Sequence, residues 1–185
     1  MASRTGCLIG RPVHPRGDPG DFVGLDVLSA EAQTGAGAVI VGDLGEGWDF
    51  ATLNRAFRLL MAEPHPRLIA LGMTRYWRAA DGLRLDTAPF VVALQHATGI
   101  APVVLGKPDR PFFAAALGKL GAEALMIGDD IRGDIGGAQG AGICGLLVRS
   151  GKFRPQDLRG EIQPDGVIDS IANLPAWWVE NLACC

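Results

Sequence analysis

Apolar residues fall into short runs separated by helical patterns. Ala38 to Gly42 (AVIVG) is a continuous apolar run of strand length. Asp49 stands where a helix N-cap is needed. Leu53, Ala56, Phe57 and Leu60 then recur at the i, i+3, i+4, i+7 spacing of one buried helix face. Pro64 and Pro66 stop that helix, and Arg67 to Leu71 (RLIAL) reads as the next strand. Thr87 can cap a helix running from Pro89 to Thr98 and closed by Gly99. Pro102 to Leu105 (PVVL) opens a second block, in which Asp109 caps a helix carrying Pro111, Phe112, Phe113, Ala116 and Leu117. Strands follow at Ala124 to Ile127, Cys144 to Val148 and Gly166 to Ile168. A glycine-rich helix is expected over residues 133–141 and a helical tail over 171–182.

Strand–helix–strand repetition of this kind predicts an α/β fold with right-handed crossovers and parallel sheets. The boundary between the two blocks falls near residues 100–104. Residues 1–36 are rich in Gly, Pro and Arg with little periodicity, and are expected to be loosely ordered.

At 185 residues and 48% hydrophobic, the chain can bury a substantial core. The formal net charge is -3 and the 17 Lys and Arg residues are scattered, so no nucleic-acid footprint is expected. The longest apolar runs are too short to span a bilayer, and the first residues lack the apolar stretch of a signal peptide. Cys7, Cys144, Cys184 and Cys185 form no C-x-x-C pair. No disulfide framework is expected, and a cytoplasmic location is.

The chemistry is concentrated in Lys107-Pro108 and in Met126-Ile127-Gly128-Asp129-Asp130-Ile131-Arg132-Gly133-Asp134. An apolar strand ending in Gly-Asp-Asp puts two carboxylates at the carboxyl edge of a parallel sheet, where open α/β sheets bind ligands. Hard oxygen ligands suit Mg²⁺, which takes one or two carboxylates together with phosphate and water. Lys107 adds a compact positive charge for a phosphate, and Asp134 is placed to orient Lys107 or a metal-bound water. The plainer reading makes Asp129 and Asp130 helix caps and Lys107 a solvated surface residue. Their occurrence in consecutive strand-to-helix turns favours the site. Order separates two phosphate-handling folds: in response-regulator receiver domains the acidic pair comes first and the lysine last, whereas here Lys107 precedes Asp129.

In that order, the segments LGKPDRPFF, ALMIGDDIRGDIGGAQGAG and LLVRSGKFRP resemble the C-terminal core of haloacid-dehalogenase (HAD) phosphatases with a large α/β cap. AVIVGDLGEGWDFATLNRAFRLLM, LIALGMTRYW and GLRLDTAPFVVAL are similar to the cap of the same group, whose nearest likeness is the phospholysine phosphohistidine inorganic pyrophosphate phosphatases. The resemblance covers roughly residues 38 to 170. It implies the C-terminal part of a Rossmann-like core with a parallel sheet, plus an α/β cap domain. Residues 37–103 would be the cap, 104–185 the C-terminal half of the core, and 1–36 a poorly defined leading segment. The implied reaction is Mg²⁺-dependent phosphoryl hydrolysis of a small phosphorylated substrate through an aspartyl-phosphate. Lys107 and Asp134 would be catalytic, Asp129 and Asp130 metal ligands, and Thr74 and Arg75 substrate contacts on the specificity loop.

The family's first motif, an apolar strand followed by Asp-x-Asp, is absent: no Asp-x-Asp occurs in residues 1–185. Neither Asp26, with Leu28 at the acid/base position, nor Asp43, followed by Leu-Gly-Glu, fits it. The pieces around Val13-His14-Pro15 and Asp21-Phe22 resemble the linker just before the cap, which implies a chain that begins after the first two motifs. Two expectations follow. Without the nucleophile strand, a parallel strand of the core keeps an exposed edge, an association hazard that makes a homodimer an expectation. Turnover is expected to be weak or absent, so the alternative reading is a non-catalytic remnant serving as a binding or dimerisation module.

Overall fold

The computed structural model describes residues 5–9, 26–29, 31–120 and 124–181. In chain order the elements are β1 (Thr5–Ile9), β2 (Asp26–Val27), β3 (Ala38–Val41), α1 (Phe50–Leu60), β4 (Arg67–Ala70), β5 (Tyr76–Ala79) and β6 (Gly82–Leu85). They continue with α2 (Thr87–Thr98), β7 (Val103–Val104), α3 (Arg110–Leu120), β8 (Leu125–Gly128), α4 (Gly137–Gly140), β9 (Cys144–Val148), β10 (Gly166–Ile168) and α5 (Leu174–Asn181). A π-helical stretch, Ile131–Gly136, leads into α4. The chain divides into two compact units: Met1–Tyr76 with Leu85–Leu105, and Trp77–Arg84 with Gly106–Cys185.

The first unit is built on a five-stranded parallel sheet of order β2-β1-β3-β4-β7. Val39 and Val41 on one face and Ile40 on the other are all buried, which is why this stretch reads as an unbroken apolar run rather than an alternating one. Asp49 caps α1 by accepting a hydrogen bond from the Thr52 amide at 2.7 Å. Ala56, Leu59 and Leu60 of α1 are buried against Val91 and Leu94 of α2 and Leu68 of β4, with Leu53 and Phe57 packed at the margin. Trp48 stacks on Phe90 at 4.1 Å between ring centroids. The cap of α2 is Asp86, which accepts from the Thr87 amide at 2.6 Å; Thr87, expected in that role, is the first helical residue and is buried. Gly99 closes α2 in the left-handed conformation (φ 73°).

The second unit carries a three-stranded parallel sheet of order β10-β9-β8. Leu146, Val148 and Ile168 are buried on it with Trp177 of α5 packed against them, while Phe113 of α3 meets Ala138 and Ile143. Among the described residues, β8 has no strand on its other edge.

Four features depart from the sequence-based expectation. Residues 1–36, expected to be loosely ordered, contribute β1 and β2 to the first sheet, whereas residues 10–25 lie outside the described ones. The pair β5–β6 was not foreseen. β7 joins β4 in the first unit, so it is not the sheet neighbour of β8. Cys144 is disulfide-bonded, against the expectation of free thiols. Among the described residues, no helix is long and apolar enough to cross a membrane.

Leu59 is fully buried at the centre of the first core. Leu59→Ala is therefore expected to cost about 2–5 kcal/mol in urea-induced unfolding, through lost transfer energy plus a cavity.

Candidate active site

β8 ends at Gly128, and the chain turns through Asp129 and Asp130 into the π-helical stretch Ile131–Gly136. Asp130 caps that stretch by accepting from the Arg132 amide at 3.0 Å. Its carbonyl receives the amides of both Asp134 (2.9 Å) and Ile135 (3.2 Å), a widened turn of the kind frequent at functional sites. The turn brings the Asp134 side chain back over the end of β8. That position is open because residue 128 is glycine: a Cβ there would run into the Asp134 carboxylate.

Asp134 is buried, with 7% of its side chain exposed. Its Oδ1 accepts from Lys107 Nζ at 2.6 Å and its Oδ2 from the Asp130 amide at 3.2 Å. Lys107, two residues beyond Leu105 of the first sheet, is thus tied to the acidic turn by a direct ion pair, not by a shared sheet. The other two carboxylates are held by one residue. Lys152 donates its amide to Asp129 Oδ2 at 2.8 Å, and its Nζ lies 2.7 Å from Asp130 Oδ2. The Lys152 side chain is only 11% exposed, so the loop after β9 supplies a largely buried cation. Gly151, at φ 51°, abuts the Asp129 carboxylate so closely that no side chain fits. The sequence does carry a signal for Lys152, because it follows β9, the neighbour of β8, at the same carboxyl edge.

The electrostatics follow from these contacts. Burial pushes the Asp130 carboxyl up. Hydrogen bonds from the Lys152 ammonium and the Gly133 amide, the Lys152 charge and the Arg132 amide outweigh burial and hold it below its ordinary value of 3.8. Three carboxylates against two ammonium groups leave the cluster one negative charge in excess when all are ionised.

Both oxygens of Asp130 and both of Asp134 already accept hydrogen bonds. Among the described residues no donor reaches Asp129 Oδ1. No group of three or more His, Cys, Asp or Glu suited to a metal occurs among the described residues. The residues present fit a half-site: one hard carboxylate oxygen beside an excess negative charge, the remaining positions left to water and phosphate. Asp130, also expected as a ligand, accepts from Lys152 and the Arg132 amide.

The structure thus brings Lys107, Asp129, Asp130 and Asp134 together in the second unit. Thr74 and Arg75 belong to the first. The segment after β4 is fixed there by its backbone: Thr74 O accepts from the Ala88 amide at 3.0 Å and Arg75 O from the Asp86 amide at 3.1 Å, leaving the Arg75 side chain exposed.

Comparison with known proteins agrees with this reading. Residues 104–174 match the family model described as "HAD-hyrolase-like". The phospholysine phosphohistidine inorganic pyrophosphate phosphatase of Bos taurus is 46% identical over 138 residues, covering 72% of this chain and 51% of that protein. A solved p-nitrophenyl phosphatase from Archaeoglobus fulgidus superposes with a TM-score of 0.72 at 25% identity, covering 95% of this chain and 67% of that one. A glycerol phosphate phosphatase from Mycobacterium tuberculosis, solved in complex with magnesium, shares the fold at a TM-score of 0.73 and 24% identity, over 94% of this chain and 53% of that one. The α/β fold, the parallel sheet with an aspartate turn at its carboxyl edge and these similarities define the class: the chain belongs to the haloacid-dehalogenase superfamily of hydrolases. Within it, the chain resembles the phospholysine phosphohistidine inorganic pyrophosphate phosphatases. It spans about half the length of the curated relatives it matches.

Two outcomes test the geometry. Asp134→Ala removes the acceptor of Lys107 Nζ and of the Asp130 amide, and is expected to cost about 1–3 kcal/mol in urea unfolding. The Asp130 carboxyl is lower in the folded than in the unfolded state, so its stabilisation is complete above the unfolded value and is lost as pH falls through the folded one. In metal-free buffer, the stability difference between wild type and Asp130→Asn should be constant above about pH 5 and shrink steadily below about pH 4.

Proposed function

We propose that this chain carries the phosphate- and Mg²⁺-handling half of a HAD-type phosphatase site, directed at a small phosphorylated substrate. The observation that carries the reading is the convergence of Lys107, Asp129, Asp130 and Asp134 in one cluster, with Lys107 Nζ 2.6 Å from the buried Asp134. The magnesium named with the Mycobacterium tuberculosis relative and the phosphatase names of the others support it.

Each residue has a distinct task. Lys107 presents positive charge to phosphate oxygens, and Asp134 keeps that ammonium aimed. Asp129 offers Oδ1 to the metal while its Oδ2 stays on the Lys152 amide. Asp130, the second candidate ligand, also braces the site: it anchors Lys152 and the turn. Mg²⁺, when bound, neutralises charge on the phosphoryl group. Thr74 and Arg75 contact the substrate, with Arg75 suited to an anionic portion. Residues 37–103 correspond to the cap, and residues 104–185 to the C-terminal half of the core.

The 185 residues hold no Asp-x-Asp to form an aspartyl-phosphate, so the covalent step has no family nucleophile within them. The absence of that motif and, among the described residues, the lack of a strand on the other edge of β8 favour, as a second reading, a module that binds rather than turns over.

The test pairs binding with turnover. Mg²⁺ titrated calorimetrically into the purified chain is expected to bind weakly, and at least tenfold more weakly to Asp129→Asn, because the ligand itself is altered. p-Nitrophenyl phosphate hydrolysis is expected to stay at background with or without Mg²⁺. Equal Mg²⁺ binding by both proteins would overturn the metal assignment. Mg²⁺-dependent turnover lost in Asp129→Asn would overturn the half-site and make Asp26 and Asp43 the first residues to replace.

A further inference from the structure

The second unit includes a segment, Trp77–Arg84, remote in sequence from the rest of it. From β5 in that segment, Arg78 Nε donates to the carbonyl oxygen of Gly151 at 2.7 Å, across 73 positions of sequence. The other arginine of the segment, Arg84, is paired locally with Asp81 at 2.6 Å.

The Gly151 carbonyl is no arbitrary acceptor. It is one end of the peptide unit whose other end is the Lys152 amide, and that amide donates to Asp129 Oδ2 at 2.8 Å. A trans peptide unit is planar and rigid, so fixing the direction of its oxygen fixes the direction of its N–H. Its freedom lies in the flanking dihedrals, and glycine at 151, at φ 51°, is the residue least able to restrain them. Gripping the oxygen also polarises the same unit and strengthens the bond made by its N–H. Immediately beyond this plane, Lys152 Nζ reaches Asp130 Oδ2 at 2.7 Å.

We infer that Arg78 is a positioning residue: by holding the Gly151 carbonyl it orients the Gly151–Lys152 peptide plane, and through it the Asp129 and Asp130 carboxylates. Its consequence for a cation rests on the metal reading above, whereas the orientation of the plane does not.

Amide hydrogen exchange resolved at Lys152 reads the plane directly, and Mn²⁺ titration followed by electron paramagnetic resonance reads the consequence. Wild type is compared with Arg78→Ala, Arg78→Lys, Arg84→Ala and Asp129→Asn. Loss of one hydrogen bond is expected to speed Lys152 amide exchange about tenfold in Arg78→Ala, with the β9 amides unchanged. Arg78→Lys, which keeps a donor, should return most of the protection, and Arg84→Ala should behave as wild type. Mn²⁺ affinity should fall about tenfold in Arg78→Ala, the lower end for groups acting through a ligand. Unchanged Lys152 exchange in Arg78→Ala would overturn the inference. So would acceleration spread equally over β9, which marks general destabilisation, or failure of Arg78→Lys to restore protection. Faster Lys152 exchange with Mn²⁺ binding alike in wild type and Asp129→Asn would sustain the positioning role and remove the metal reading alone.

Discussion

The buried carboxylate of Asp134 constrains everything around it. An ionised group this enclosed is tolerated only when its oxygens are met by donors. Asp134 is met by the Lys107 ammonium on one oxygen and the Asp130 amide on the other. Those contacts dictate the local chain path. Lys107 must lie beside the end of β8 although the strand before it belongs to another sheet. The turn after Asp130 must widen by a residue to bring Asp134 back, which accounts for the π-helical stretch. The pair is asymmetric: 38% of the Lys107 side chain stays exposed while only 7% of the Asp134 side chain does.

Asp129 and Asp130 show how unlike two adjacent carboxylates become. Asp130 is held on both oxygens and is pulled into the charged state by Lys152 despite its burial. Asp129 is held on one oxygen and has the other left over. Two ammonium groups against three carboxylates make the cluster attractive to a cation. The lysines keep that attraction modest, consistent with a site that takes metal together with a phosphate.

Much of this was legible in the residues, and the exceptions have physical causes. The apolar runs at residues 38–41 and 144–148 became buried parallel strands because both faces of each sheet are covered. Lys107, Asp129, Asp130 and Asp134 were readable as a group because they fall in consecutive strand-to-helix turns, whereas capping alone would explain Asp129 and Asp130. Lys152 carried only a positional signal, its place after β9: a lysine in a glycine-containing loop is ordinarily solvated, and only contacts from the turn after β8 show it to be buried. The pair β5–β6 carries exposed Trp77, Leu83 and Leu85 and lacks clean alternation; Asp81-Gly82 was the available turn signal. The cap of α2 fell one residue early, since Asp86 and Thr87 are both good caps and tertiary burial of Thr87 decided between them.

Each of the three carboxylates lies against a glycine: Asp134 against Gly128, Asp130 against Gly133, Asp129 against Gly151. The cluster is shaped as much by absent side chains as by present ones. An alanine scan of the kind used to map active sites would therefore read backwards here. At the aspartates it deletes a function, and at the glycines it inserts an obstacle, with the same phenotype for opposite reasons. A tolerance map would mark all six positions, and only the direction of the volume change would tell the carboxylates from the space that admits them.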